Sequence, residues 1–242
     1  MKVLPPTTQP PTRPFERAHA PKKADWQGGY RAYVPCLRWD FGFTCALCLL
    51  HEGDLTERGV EETPHQMTVE HCTPQSVDRN LANVYENLLY ACWFCNRARS
   101  NTPLHDEHGT PLLDPTVDAW ADHFEVVGDR LVPRTERGTY AEIVYDINDE
   151  RKVRKRKARR QFIHSHLERR ITLIRLANRL ERSDDDRART EAEILKRAVR
   201  DLEERMRRYL GVPEQVTAEY RCRCATQLRD LPHQLERQLV EL

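Results

Sequence analysis

The period of the apolar positions changes several times along this 242-residue chain, and each change marks an element. Met67-Thr-Val-Glu-His71 reads as a short strand, and Pro74 in the turn Cys72-Thr-Pro-Gln-Ser blocks its continuation. Asn87-Leu-Leu-Tyr-Ala91 reads as a second strand, and from about Trp93 a helix runs until Asn101-Thr-Pro103 stops it. Leu112-Leu-Asp-Pro115 is a turn, Trp120 and Phe124 suit a short helix, and Glu125 to Val132 suits a hairpin around Gly128-Asp129. In the expected helix 148–182, Ile163, Leu167, Ile171, Ile174 and Leu180 lie at helical spacing. Ser183-Asp-Asp-Asp186 breaks it, with Ser183 placed to cap the next helix and the acids suited to its positive end. There Ala188, Ala192, Leu195, Val199, Leu202, Met206 and Tyr209 step by fours and threes, a heptad seam that Gly211 and Pro213 end. Two such helices around a short break predict an antiparallel hairpin, which packs on itself and the core or also meets a partner. A last amphipathic helix carries Leu228, Leu231, Leu235 and Leu239.

These elements predict an α+β chain, a small ββα core with an extended helical C-terminal region. The expected divisions are an arm and lead-in over 1–40, the core over 41–105, a mixed segment over 106–148 and helices over 149–242. Residues 1–24 hold Pro5, Pro6, Pro10, Pro11, Pro14 and Pro21 and read as an extended arm, either loose or lying along a partner. Residues 25–44 are rich in aromatics, and Trp26, Tyr30, Leu37 and Phe41 are expected to pack over a core too small to stand unaided.

Charge changes the picture more than composition does. The net charge of +1 conceals an acidic block, 41–125, with four Lys/Arg against fourteen Asp/Glu, and a basic block, 151–182, with thirteen against two. Hard cations suit the first and a polyanion the second. No run of about 18 apolar residues is present, so no membrane span is expected. The first residues show no apolar signal region, and half of the eight cysteines stand in metal spacing, which points to a reducing cytoplasm.

Those four cysteines form two pairs, Cys45-Ala-Leu-Cys48 and Cys92-Trp-Phe-Cys95. Two Cys-x-x-Cys knuckles can close one tetrahedral Zn²⁺ site, each giving two thiolates. Cys36 and Cys72 read as buried thiols, His105 and His108 as surface residues, and Cys222-Arg-Cys224 as ordinary thiols.

Within the cysteine frame stand Glu70-His71, then Asn87-Leu88, then Asn96 directly after the last cysteine. This order resembles the cysteine-bearing branch of the HNH endonucleases, with Asn96 where a third histidine often stands. The mixed segment after it is similar to those that follow the nuclease core in HNH proteins of bacterial defence systems such as Septu and the retron-linked nucleases. The resemblance implies a ββα-metal fold and hydrolysis of DNA phosphodiester bonds. It implies that Glu70 and Asn96 hold one Mg²⁺ or Mn²⁺, that His71 activates water, and that Asn87 orients the histidine through the loop backbone. A protein partner such as an ATPase subunit, or self-association through the C-terminal helices, is the expected assembly.

The residues themselves fit this chemistry. Imidazole titrates near neutrality and accepts a proton there, while carboxylate and amide oxygens suit a hard divalent ion. Neighbouring strand residues face opposite ways, so Glu70 and His71 share a site only where the strand ends or bends, which the Pro74 turn provides. Arg97 and Arg99, on the same helix, are candidates to grip phosphate. Arg151, Lys152, Arg154, Lys155, Arg156, Lys157, Arg159 and Arg160 are read as a nucleic-acid-binding run whose cations surround the helix. The alternative is a catalytically silent zinc-stapled module that binds nucleic acid or protein.

Overall fold

A computed structural model of the chain describes residues 10–17, 29–55, 67–100 and 102–209. Trp26, Gly211, Pro213, Cys222, Cys224 and the leucines expected to form a last helix lie outside the described residues.

The chain is α+β, with two small two-stranded sheets and long helices toward its C-terminal end. After a 3-10 turn over Gly29–Tyr33 come α1 (Val34–Asp40) and the one-turn α2 (Glu52–Leu55). β1 (Met67–His71) pairs antiparallel with β2 (Leu88–Cys92), setting Glu70 opposite Leu89 and His71 opposite Leu88. β2 is buried throughout and runs directly into α3 (Trp93–Arg99), completing a ββα unit. Arg38 places its fork on the Glu52 carboxylate, which also accepts the Tyr90 hydroxyl, so one acid ties α1, α2 and β2 together.

The expected mixed segment packs into the same core. α4 (Trp120–His123) leads to the hairpin of β3 (Phe124–Val127) and β4 (Arg130–Pro133), turning at Gly128-Asp129 as its sequence suggests. α5 (Glu136–Tyr145) follows, capped by Thr135 Oγ1, which accepts from the Gly138 N–H at 3.0 Å. A Cβ on Gly138 would sit 2.6 Å from the His123 carbonyl oxygen, so only glycine fits where this helix crosses the end of α4. Leu113, Trp120, Phe124, Leu131, Ala141, Tyr145 and Ile147 join the cluster built by Leu37, Phe41, Leu47, Leu50 and Leu88. Trp120 donates its indole N–H to the Leu47 carbonyl at 3.0 Å, anchoring this segment to the first cysteine knuckle.

Part of the proline-rich arm is docked. Phe15 meets Phe41 at 5.0 Å between ring centroids, and Arg17 donates to the carbonyls of Glu86 and Leu88 while lying over Phe41 and Tyr85. Backbone bonds from the Phe15 N–H to the Pro115 carbonyl (2.8 Å) and from the Ala121 N–H to the Pro11 carbonyl (2.9 Å) add to the hold on a stretch that proline content alone suggests is loose.

α6 (Glu150–Glu181) and α7 (Asp186–Tyr209) form the antiparallel hairpin, with Lys196 paired to Glu181 and Arg170 to Glu203. Ala188, Ala192, Val199, Leu202 and Met206 are buried along the seam. Two expectations are corrected. Asp185, rather than Ser183, caps α7, its carboxylate accepting the Arg187 N–H at 3.0 Å. Ile171 is exposed, because Ile163 and Ala177 take the buried face of α6 and Ile171 falls off that line.

Candidate functional site

The four cysteine sulfurs come together as their spacing requires. Cys45 and Cys48 flank a turn closed by the Leu49 N–H to the Cys45 carbonyl (3.0 Å), with Leu49 in the left-handed region at φ 61°. The Cys45 N–H bonds the Leu50 carbonyl and the Ala46 N–H the Tyr90 carbonyl, both at 2.8 Å, which hangs this knuckle on β2. Cys92 and Cys95 come from the last residue of β2 and the first turn of α3.

All four ligand atoms lie within 4.8 Å of one another, and Cys48 Sγ is 3.6 Å from Cys92 Sγ. Tetrahedral sulfurs around a zinc-sized ion stand about 3.8 Å apart, whereas a disulfide needs about 2.0 Å. The cluster therefore fits a metal ion and not a disulfide, and all four residues are fully buried. Burial raises the Cys45 thiol, yet hydrogen bonds from Cys48, Cys92 and Cys95 override it and hold its pKa well below the ordinary thiol value. Hydrogen bonds from Cys45 and Cys48 push the Cys92 thiol well above that value, and burial with the neighbouring sulfurs does the same to Cys95.

Beside this centre the strand end carries a second polar group. The loop from Cys72 to Asn87 leaves β1 and returns to β2, and Asn87 ties it shut from within. Its Oδ1 accepts the Thr73 N–H at 2.8 Å, and its Nδ2 donates to the Thr73 carbonyl at 3.0 Å and the Leu81 carbonyl at 3.2 Å. The loop so held presents the Ala82 carbonyl to His71 Nε2 at 3.0 Å. Tyr30 meets the imidazole edge-on at 4.9 Å, and the Gln75 amide lies 3.2 Å from the same nitrogen. Burial lowers the His71 pKa, with the Ala82 carbonyl working the other way.

Glu70 Oε1 accepts the backbone N–H of His71 at 2.9 Å. Burial raises its pKa to about 7, against the His71 N–H and the Arg99 charge, which lower it. Asn96 Nδ2 donates to the Val69 carbonyl at 2.9 Å, so its amide oxygen is the end left for another group. Glu70 and His71 thus stand at the end of β1, Asn87 at the return of the loop to β2, and Asn96 on α3 with its amide on the β1 backbone.

The cationic candidates divide. Arg97 is exposed and lies over the Trp93 ring at 5.0 Å, and Arg151 lies over Phe94 at the same distance. Arg154 and Lys157 are exposed. Four candidates are corrected. Arg99 is 1% exposed and donates to the Thr102 carbonyl, since it falls on the side of α3 that packs against α5. Lys152, Arg156 and Arg159 are buried, because they form the face on which α6 sits. Of the others, Lys155 donates to the Asp54 carbonyl at 3.0 Å and Arg160 places its fork on Asp129. Tyr30, Gln75 and the Ala82 carbonyl escape the sequence reading. The aromatic lead-in hinted at Tyr30 as a core residue, but nothing in a single sequence marks a carbonyl.

No family model matches the chain, and no solved structure matches it. Among curated proteins it is similar to the Septu protein PtuB of Bacillus thuringiensis, at 29% identity over 89 residues, or 37% of this chain. The matched stretch spans 34% of that protein's length.

Proposed function

We propose that this chain is a metal-dependent endonuclease of HNH type that hydrolyses DNA phosphodiester bonds, and that it serves as the nuclease of a bacterial anti-phage defence complex. The observation that carries the reading is His71 at the end of β1, its Nε2 held by the Ala82 carbonyl of a loop that Asn87 ties shut. A carbonyl on Nε2 makes that nitrogen the N–H donor and leaves Nδ1 as the lone pair. His71 Nδ1 then takes the proton from an attacking water, and the neutral form needed for this is favoured by the burial that lowers its pKa.

Glu70 and Asn96 would hold the catalytic divalent ion through a carboxylate oxygen and the amide oxygen turned away from Val69. Their chemistry fits Mg²⁺ or Mn²⁺, since both offer hard oxygens, and a buried carboxyl at a pKa of about 7 is one that a cation would ionise. Such an ion, when bound, lowers the charge on the phosphate and the departing oxygen. Exposed Arg97, Arg151, Arg154 and Lys157 are the cations offered to the DNA backbone, replacing the larger set read from the sequence.

The four cysteines are assigned to structural zinc, as a closed set of four sulfurs suits. The nuclease unit would then span 41–105, with 149–242 as the arm that meets an ATPase-type partner. The similarity to a Septu protein supports the defence role. No helix among the described residues is long and apolar enough to cross a membrane, in keeping with a cytoplasmic complex.

The test is cleavage of supercoiled plasmid by the wild type and His71→Ala, with Mg²⁺ or Mn²⁺ and with EDTA. Nicking that needs the metal and disappears in the variant is expected. Equal cleavage by both proteins would reject the assignment of His71, and silence of the wild type with its partner present would favour a binding module.

A further inference from the structure

Eight cations in ten residues open α6, and a solvated face is the usual meaning of such a run. Here Lys152, Arg156 and Arg159 are buried at steps of four and three, a stripe along one side of the helix. Burying a cation costs several kcal/mol unless an opposite charge and hydrogen bonds offset it. Arg159 meets that requirement locally: its guanidinium pairs with the equally buried Asp54 at 2.9 Å and donates to the Leu49 carbonyl at 2.8 Å.

Lys152 and Arg156 do not. Lys152 Nζ donates to the carbonyls of Tyr145 and Asp146 at 2.6 and 2.8 Å. Arg156 donates to the carbonyls of Asp129, Cys48 and Ile147 and to the amide oxygen of Asn148. Every one of these partners is neutral. The cysteines face both cations: burial lowers the pKa of each, and opposing it are the four thiols at Lys152, and at Arg156 Cys48 and Cys95 with the Asp129 carboxylate, which Arg160 already pairs. At Lys152 the thiols prevail, and the ammonium is held above its usual range. Four thiolates around one divalent ion carry a net charge of about −2, which two adjacent cations would cancel.

We propose that Lys152 and Arg156 are the counter-charges of a metal-filled four-cysteine centre, and that filling it seats the root of α6, and with it the α6–α7 hairpin, on the first knuckle. The inference rests on the zinc reading of Cys45, Cys48, Cys92 and Cys95. It follows that removing the metal loosens the root of α6 on the nuclease unit, leaving the pairs of Arg159 with Asp54 and Arg160 with Asp129 to hold it. The hairpin itself does not need the metal, since Lys196–Glu181 and Arg170–Glu203 join its two helices farther out.

The test uses the full chain loaded with zinc. Zinc affinity is measured by competition with a chromogenic chelator for the wild type, Lys152→Met and Arg156→Met, with the exposed Arg169→Met and Arg175→Met on the same helix as comparators. A loss of about 10- to 100-fold is expected for each buried-cation variant, and none for the comparators. Equal affinity in all five proteins overturns the proposal while leaving the zinc reading intact. A wild type that holds no zinc overturns both.

Arg156→Lys keeps the charge without the fork. Affinity like that of the wild type is expected, and a loss equal to that of Arg156→Met overturns the charge argument even where a Met variant folds poorly. Hydrogen exchange of the wild type with and without zinc tests the seating. The amides of 150–163 should lose protection with the metal, while those farther along α6 and α7 keep theirs. Protection of 150–163 that survives removal overturns the coupling.

Discussion

The same ββα unit carries two polar centres, built on opposite plans. The four cysteines are soft, fully buried and directed at one point, with every ligand position supplied by the chain. Glu70, His71 and Asn96 are hard oxygen and nitrogen donors at a strand end, each already held by one backbone bond and each with an atom to spare. A closed set of ligands suits a metal that holds a fold, and an open set suits one that meets a substrate. Both draw on one short helix, since Cys95 and Asn96 are neighbours on α3.

Substitutions should separate the two centres. Cys95→Ser breaks the closed one and has the largest expected effect. Binding of structural zinc contributes about 10–16 kcal/mol in small domains, so the variant should lose the metal and the cooperative melt seen by circular dichroism. Activity would vanish with the fold. His71→Ala should do the reverse, reducing cleavage by about 10²- to 10⁴-fold with zinc content and melting unchanged. A drop in both would mean that the centres are not independent.

Asn87→Ala lies between these extremes. Its amide makes three bonds that hold the loop, and a buried group left unpaired costs about 1–3 kcal/mol, so a lowered Tm and a weakened cleavage rate are expected together. The pH profile sharpens the picture further. Burial lowers the His71 pKa, and the base must be neutral to act, so kcat/KM should be flat near pH 7 and fall only below pH 6.5, as the imidazole takes up a proton. At saturating metal, where Glu70 is held ionised, a midpoint above 6.5 would argue against His71 as the base. The smallest effect belongs to Arg97→Ala, which should weaken DNA binding uniformly across sequences and reduce the salt slope by about one.

The cysteine cluster and the strand end beside it were legible because side-chain chemistry repeats in order along the chain. Cys-x-x-Cys spacing encodes a knuckle locally, and Glu70-His71 before Pro74 encodes a strand end. The docking of α6 was not legible. A run such as Arg151 to Arg160 has the same composition whether it faces water or carbonyls, and the carbonyls that hold Lys152 and Arg156 come from residues such as Cys48, Asp129 and Tyr145. Arg99 was misread for the same reason: α5, which covers it, has too weak an apolar pattern to announce itself. Backbone acceptors leave no trace in side-chain patterns, so a buried cation looks like a surface one until the fold is known.

The length of α6 gives its seating a mechanical meaning. Its 32 residues span about 48 Å, with the root beside the cysteine knuckle and the far end at Glu181. A rod of that length works as a lever: a tilt of roughly five degrees at the root swings the tip by about 4 Å. A push at the tip near Ser183 reaches the root much reduced, where Arg156 meets the Cys48 carbonyl and Arg151 lies over the Phe94 ring of α3.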